Sequence, residues 1–296
     1  MKVAWFDAKE IQEESIETSH DIDFFYSSLS LSSLDSSYDV LSVCPSSAVT
    51  EEVMRKVMPD KIVCRSSGYD NVDIDAANKL GIPVQNARGY GSESVAEFNV
   101  SMILAAAKNL DRDIGLNPSE QKGSTGRELR GSKLGVIGAG DIGKEVLSIA
   151  RGLGMDLYAY DPYKDEETAE TIGFEYISLE KLLEISDVVS VNCPLNESTR
   201  GLLSNKEFEL MADVILVNTA RGEIIDTKAL EEALEEGDVS KAALDVGSDE
   251  GFQCLKDRSD VFFTPHNAYN TAESKQKRLE ITMKNISSKI NVVNSP

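Results

Sequence analysis

Leu134-Gly135-Val136-Ile137-Gly138-Ala139-Gly140-Asp141-Ile142-Gly143 decides how this chain is read. A short apolar run ends on a glycine, and Gly138, Gly140 and Gly143 follow the spacing G-x-G-x-x-G. The pattern alone is weak. Here it follows a strand-like run and opens a helix, because Ile142, Val146, Leu147 and Ala150 recur at helical spacing. Each glycine then has a task. The first permits a tight turn, the second lets the backbone approach a pyrophosphate, and the third lets helix and strand pack closely. The phosphates would sit on exposed N–H groups at the helix start, around Asp141 and Ile142, where the helix dipole favours negative charge.

Asp161 closes the next strand-like run. A carboxylate there accepts hydrogen bonds from a ribose diol and repels a 2′-phosphate. No arginine stands beside it in Asp161-Pro162-Tyr163-Lys164, so NAD is the expected cofactor rather than NADP.

Working outward, the βα rhythm predicts six strands in this half, at 134–137, 157–160, 188–191, 214–217, 242–244 and 261–263. Six is the count of a full dinucleotide-binding fold. Upstream, strands are expected at 3–6, 22–26, 40–43, 62–64 and 82–84, with helices at 51–58 and 73–80. Gly81-Ile82-Pro83 stops the second helix and opens a strand. The Ser-rich residues 27–37 read as a surface helix or loop, and 111–133 as a loop. A long helix should run from Ser92 or Ser94 to Ala107, and a last one over 272–290. The fold class is α/β with parallel sheets.

The 296 residues suffice for two domains. A formal net charge of -21 repels phosphate backbones, so no nucleic-acid partner is expected. The charge also repels a free carboxylate at long range, so an acid-binding site needs a local cation. The N-terminal stretch 1–10 (MKVAWFDAKE) turns polar after a short apolar run, unlike a signal peptide, and the most apolar helix is too short to span a membrane. Cys44, Cys64, Cys193 and Cys254 are scattered, without a CxxC or Cys/His cluster, so no metal is expected. A cytoplasmic location with reduced thiols follows.

Hydride transfer between NAD and a 2-oxo acid needs a cation for the carboxylate and carbonyl, an acid for the developing alkoxide, and a group that keeps the acid protonated. Of the two histidines, His20 lies in a polar stretch and reads as an ordinary surface residue. His266 follows an apolar strand, at the carboxyl end where open α/β sheets place their sites, and is the acid/base candidate. Arg221, in Val217-Asn218-Thr219-Ala220-Arg221-Gly222, also lies past a strand end, and its guanidinium fork matches a planar carboxylate. A carboxylate beside His266 would stabilise imidazolium. Asp249 and Glu250 are both candidates from their position alone.

Together these segments resemble the D-isomer-specific 2-hydroxyacid dehydrogenase family. The resemblance runs from about Lys61 to Ile290 and also rests on 214–226 (VILVNTARGEIID), Ala242-Ala243-Leu244-Asp245-Val246, Thr264-Pro265-His266, Gly68-Tyr69-Asp70-Asn71-Val72-Asp73 and Glu93-Ser94-Val95-Ala96-Glu97. It implies a Rossmann coenzyme domain, 95–269, inserted into a discontinuous flavodoxin-like substrate domain, 1–94 and 270–296. It implies Arg221 as binder of carboxylate and carbonyl, His266 as acid/base, and Glu250 rather than Asp249 as its partner. Asp245 would hold the nicotinamide carboxamide, and the backbone at Ser67 and Gly68 the substrate carboxylate. Cys193, Pro194 and Thr199 would lie near the adenosine, and Thr219 and Ala220 near the nicotinamide ribose. Within this family the domains close on the substrate, and the 95–107 helix commonly joins a homodimer.

Two positions depart from the pattern: Gly247 replaces a common aromatic, and Gly251 a common proline. The implied activity is interconversion of a small 2-oxo acid and its D-2-hydroxy acid, with features closest to D-lactate-type members. The alternative is a non-catalytic NAD(H)-sensing corepressor-like protein on the same fold.

Overall fold

The computed structural model describes residues 1–8, 16, 18–34, 37–114, 123, 125–246 and 250–288, the side chain of Glu250 excepted. The chain divides into two compact units, Met1–Gly91 with Thr271–Pro296, and Ser92–Asn270.

The first unit opens with β1 (Lys2–Trp5), β2 (Asp21–Phe24), β3 (Val40–Val43), helix α1 (Glu51–Val57), β4 (Lys61–Cys64), α2 (Ile74–Leu80) and β5 (Val84–Asn86). Residues 31–33, in the Ser-rich stretch, form one turn of 3-10 helix. The strands are parallel in the order β2-β1-β3-β4-β5, which is flavodoxin-like. β3 and β4 are buried at every residue, as a sheet covered on both faces requires. Local chemistry sets the helix bounds. Thr50 and Asp73 cap α1 and α2 by accepting from Val53 N and Ala76 N, and Met58 and Gly81 end them in the left-handed region.

The second unit begins with α3 (Ser92–Lys108) and the short α4 (Leu110–Asp113). It continues through β6 (Lys133–Ile137), α5 (Asp141–Gly152), β7 (Asp156–Tyr160), α6 (Glu166–Ile172), β8 (Glu175–Tyr176), α7 (Leu179–Ile185) and β9 (Val188–Val191). Then come α8 (Asn205–Phe208), β10 (Val214–Asn218), α9 (Thr227–Glu236), β11 (Val239–Leu244) and β12 (Val261–Phe263). The seven parallel strands run β12-β11-β10-β9-β6-β7-β8. Read from β8, this is the Rossmann order with β12 added. The six strands expected from sequence are present, and β8 is the correction. Its two residues pair with Tyr158 and Ala159 at the sheet edge and are too few to show a period. The ends of this unit adjoin: Ser94 Oγ donates to the Ala268 carbonyl at 2.8 Å.

The chain then returns to the first unit as α10 (Ala272–Ser287). Leu279, Met283 and Ile286 pack on Val3, Trp5, Val40 and Val63. Lys61 seals the helix end, donating from Nζ to the carbonyls of Asn285 at 2.6 Å and Ser288 at 2.8 Å. Residues 289–290 of the expected helix lie outside the described set. Among the described residues no helix is long and apolar enough to cross a membrane.

Candidate active site

Because the second sheet is parallel, the residues that follow its strands share one edge. Gly138 follows β6, Asp161 β7, Cys193 β9, Thr219 and Arg221 β10, Asp245 β11, and His266 lies three residues past β12. Between β6 and β9 the strand order reverses, which is where open α/β sheets bind ligands.

The glycine turn fits a dinucleotide. Gly138 has φ +93°, and a Cβ there would lie 2.6 Å from Cys193 N. A Cβ on Gly143 would lie 2.0 Å from the Gly138 carbonyl oxygen. Neither position admits a side chain. A Cβ on Gly140 meets no atom within 4 Å, so this exposed glycine leaves the approach to the α5 amides clear. Asp141 is exposed at the first position of α5, where a backbone N–H can serve an anion, and Ile142 is half-buried against the core.

Asp161 joins the turn to β7. Its Oδ2 accepts from Ala139 N at 2.8 Å and its Oδ1 from Tyr163 N at 2.8 Å. Each carboxylate oxygen keeps a second acceptor position, so a ribose diol can still be received. Beyond β9, burial pushes the Cys193 thiol up to about 12, leaving it neutral at neutral pH. Thr199 closes the loop after Pro194: its hydroxyl donates to the Pro194 carbonyl at 2.6 Å and accepts from Asn196 N at 2.8 Å.

Arg221 is held by a residue the sequence reading passed over. Asn218, buried at the end of β10, accepts from Ala220 N at 2.8 Å and donates from Nδ2 to the Arg221 carbonyl at 2.9 Å. Asparagine is the residue that makes such turns, so its place after an apolar strand was the available signal. The half-buried Arg221 donates from Nη1 to the Ala220 carbonyl at 2.8 Å.

His266 is exposed and sits at φ +51°, a left-handed conformation unusual for a residue with a side chain. Asp245, 1% exposed, supports that turn. Its Oδ1 accepts from Thr264 Oγ1 at 2.6 Å and Asn267 N at 3.0 Å, and its Oδ2 from Ala268 N at 2.9 Å. Three donors on both sides of His266 thus converge on one carboxylate. This engagement leaves Oδ2 the position for any carboxamide contact.

Glu250 opens the 3-10 stretch Glu250–Leu255; its side chain, with Gly247 and Asp249, lies outside the described residues. A Cβ on Gly251 would meet only Thr227 Oγ1, at 4.0 Å, so no neighbour demands glycine there.

In the first unit, Ser67 and Gly68 follow β4. Asn86 Nδ2 donates to the Ser67 carbonyl and Ser66 Oγ to the Gly68 carbonyl, both at 2.6 Å. No described residue accepts from the N–H of either. His20 is bonded to Ser287 Oγ of α10 at 3.1 Å.

A Rossmann sheet with a glycine turn and a strand-end arginine and histidine defines a nicotinamide-dependent oxidoreductase class, and the comparisons narrow it. Residues 100–268 match the family described as "D-isomer specific 2-hydroxyacid dehydrogenase, NAD binding domain", and the chain belongs to that family. NAD is accordingly its cofactor. The hydroxypyruvate reductase of Thermotoga maritima is 39% identical over 255 residues, covering 83% of this chain and 82% of that protein. The D-3-phosphoglycerate dehydrogenase of Archaeoglobus fulgidus is 40% identical over 245 residues, covering 80% of this chain but 46% of its own length. The chain thus spans about half the length of the phosphoglycerate dehydrogenases it matches. The D-lactate dehydrogenase of Aquifex aeolicus, solved with NAD and lactic acid, superposes with TM-score 0.83 at 31% identity, over 96% of this chain and 94% of that one.

The Asp161 geometry makes a specific prediction. Asp161→Asn keeps a carbonyl oxygen for Ala139 N, turns its NH2 toward Tyr163 N and removes the charge, so NADH should weaken about tenfold or more, the worth of a charge-assisted hydrogen bond. NADPH should gain relative to it. Titrating both nucleotides checks this; an unchanged NADH/NADPH ratio would remove Asp161 from the ribose.

Proposed function

We propose that the chain is an NAD-dependent dehydrogenase that interconverts a small 2-oxo acid and its D-2-hydroxy acid. The observation that carries this reading is the placement of Arg221 and His266 past β10 and β12, on either side of Asp245 and on the same sheet edge as the glycine turn. Strand spacing of about 4.8 Å puts their points of origin roughly 10 Å apart, a span that a three-carbon acid and two side chains fill.

NAD, when bound, supplies or receives the hydride. The chain's residues do the rest. The Arg221 guanidinium holds the substrate carboxylate and polarises the carbonyl oxygen. An imidazole nitrogen of His266 delivers a proton to that oxygen in reduction and removes it in oxidation. Glu250 stabilises the imidazolium. The unengaged N–H groups of Ser67 and Gly68 receive the carboxylate. On the dinucleotide side, Gly138, Gly140, Asp141, Ile142 and Gly143 offer backbone to the pyrophosphate, and Asp161 takes the adenosine ribose. Cys193, Pro194 and Thr199 border the adenosine, Thr219 and Ala220 the nicotinamide ribose, and Asp245 receives the carboxamide.

A cytoplasmic location, and a homodimer joined through α3, whose Val95, Phe98 and Leu104 are only half-buried, complete the reading.

The test follows NADH consumption by the purified protein against pyruvate, glyoxylate, hydroxypyruvate and phenylpyruvate. Turnover with a short acid such as pyruvate is expected. Silence across the panel with NADH binding intact would overturn the short-acid assignment and leave the NAD(H)-sensing reading or an acid outside the panel.

A further inference from the structure

Helix α3 carries a fully buried amide. Asn99 is 0% exposed, beside the core residues Ala96, Val100 and Ile103 of its own helix. A polar side chain there must be hydrogen-bonded at both ends. Its Nδ2 donates to Thr219 Oγ1 at 2.9 Å, and its Oδ1 accepts from Ser190 Oγ at 2.9 Å. Ser190 belongs to β9 and Thr219 follows β10. One amide therefore ties the helix to two neighbouring strands at the dinucleotide edge.

The direction of these bonds is fixed from the far end. Asn192 Nδ2 lies 3.3 Å from the Ser190 carbonyl oxygen and 2.9 Å from Ser190 Oγ. A carbonyl only accepts, so the Asn192 group that faces Ser190 is its NH2. Ser190 Oγ accepts from it and turns its own hydrogen to Asn99 Oδ1. With its oxygen engaged there, Asn99 presents its NH2 to Thr219. Thr219 Oγ1 must accept, and its hydroxyl hydrogen points elsewhere. No described residue takes that hydrogen, and Thr219 is half-buried rather than enclosed.

We infer that the series Asn192–Ser190–Asn99 presets the Thr219 hydroxyl as a hydrogen-bond donor to an acceptor oxygen of the nicotinamide ribose, with Asn99 as the positioning residue. The inference rests on the assignment of Thr219 to that ribose in the proposed function. A hydroxyl on its own rotates between donor and acceptor roles. Here the choice is made before the ligand arrives, which lowers the ordering cost of binding.

The experiment titrates NADH by its fluorescence against the wild type, Thr219→Val, Thr219→Ser, Asn99→Leu and the double variant Asn99→Leu/Thr219→Val, with a melting curve for each. Thr219→Val should weaken NADH about three- to tenfold, the worth of one hydrogen bond, and Thr219→Ser should retain wild-type affinity. Asn99→Leu should weaken NADH by less than Thr219→Val, because the freed hydroxyl can still rotate and donate, and the double variant should lose no more than Thr219→Val alone, because the first residue acts through the second. A purely packing role for Asn99 would move the melting temperature and leave affinity unchanged. If the leucine variant does not fold, Asn99→Ala takes its place, since alanine suits a helix. Losses that add in the double variant, or unchanged affinity in either single one, overturn the relay. A wild type that does not bind NADH overturns the dinucleotide reading, and the relay with it.

Discussion

Replacing His266 by alanine is expected to lower turnover of the 2-oxo acid about a hundred- to ten-thousandfold, the range that general acid–base catalysis supplies. NADH affinity should stay near the wild-type value. The reason is positional. His266 lies past β12, on the far side of β11 and β10 from the strands that carry the glycine turn. Its side chain is exposed, so truncation leaves no cavity. Kinetics under saturating NADH, with a fluorescence titration of the nucleotide, check both halves. Unchanged turnover would remove His266 from the chemistry. A matching loss of NADH affinity would move it to the dinucleotide.

Asp245→Asn is expected to act on the same chemistry without touching the imidazole. Asp245 Oδ1 and Oδ2 receive three donors, from Thr264, Asn267 and Ala268. An amide can keep one oxygen in place, but its NH2 then faces the N–H of Asn267 or Ala268. That opposition inside a buried site costs about 1–3 kcal/mol, read as a lower melting temperature. The loop it holds carries His266 in a left-handed conformation, so relaxation moves the imidazole. A displacement of about 1 Å costs roughly a hundredfold in rate. The loss in turnover should therefore exceed the loss in NADH affinity. If affinity falls as much as turnover, the carboxamide contact outweighs the support of the loop.

The sequence made the sheet frame and the strand-end residues visible because both are written locally. Apolar runs such as those at 188–191 and 214–217 mark strands buried on two faces, and glycines at Gly138 and Gly143 mark places where a Cβ has no room. Arg221 and His266 stood out because a charged or titratable residue stands three positions past the end of such a strand. What stayed hidden depends on contacts between distant residues. Asp245 and Ala268 are 23 positions apart, and Asn99 and Thr219 are 120 apart. No periodicity in either segment records that the two meet. Asn99 sits on the inward face of α3, where its helix register alone would predict an apolar side chain. The edge strand Glu175–Tyr176 escaped for a simpler reason: two residues carry no alternation.

The hydrogen bond from Ser94 to the Ala268 carbonyl bears on how such a chain could be assembled in evolution. It joins residues close to the two ends of the Ser92–Asn270 unit. A segment whose ends already touch can be spliced into a surface turn of another fold without stretching the turn open. The host chain resumes almost where it was interrupted, so its loop-closure entropy hardly changes however long the guest is. The Ser94 hydroxyl thus pins together the two points at which the nucleotide-binding unit enters and leaves its host chain.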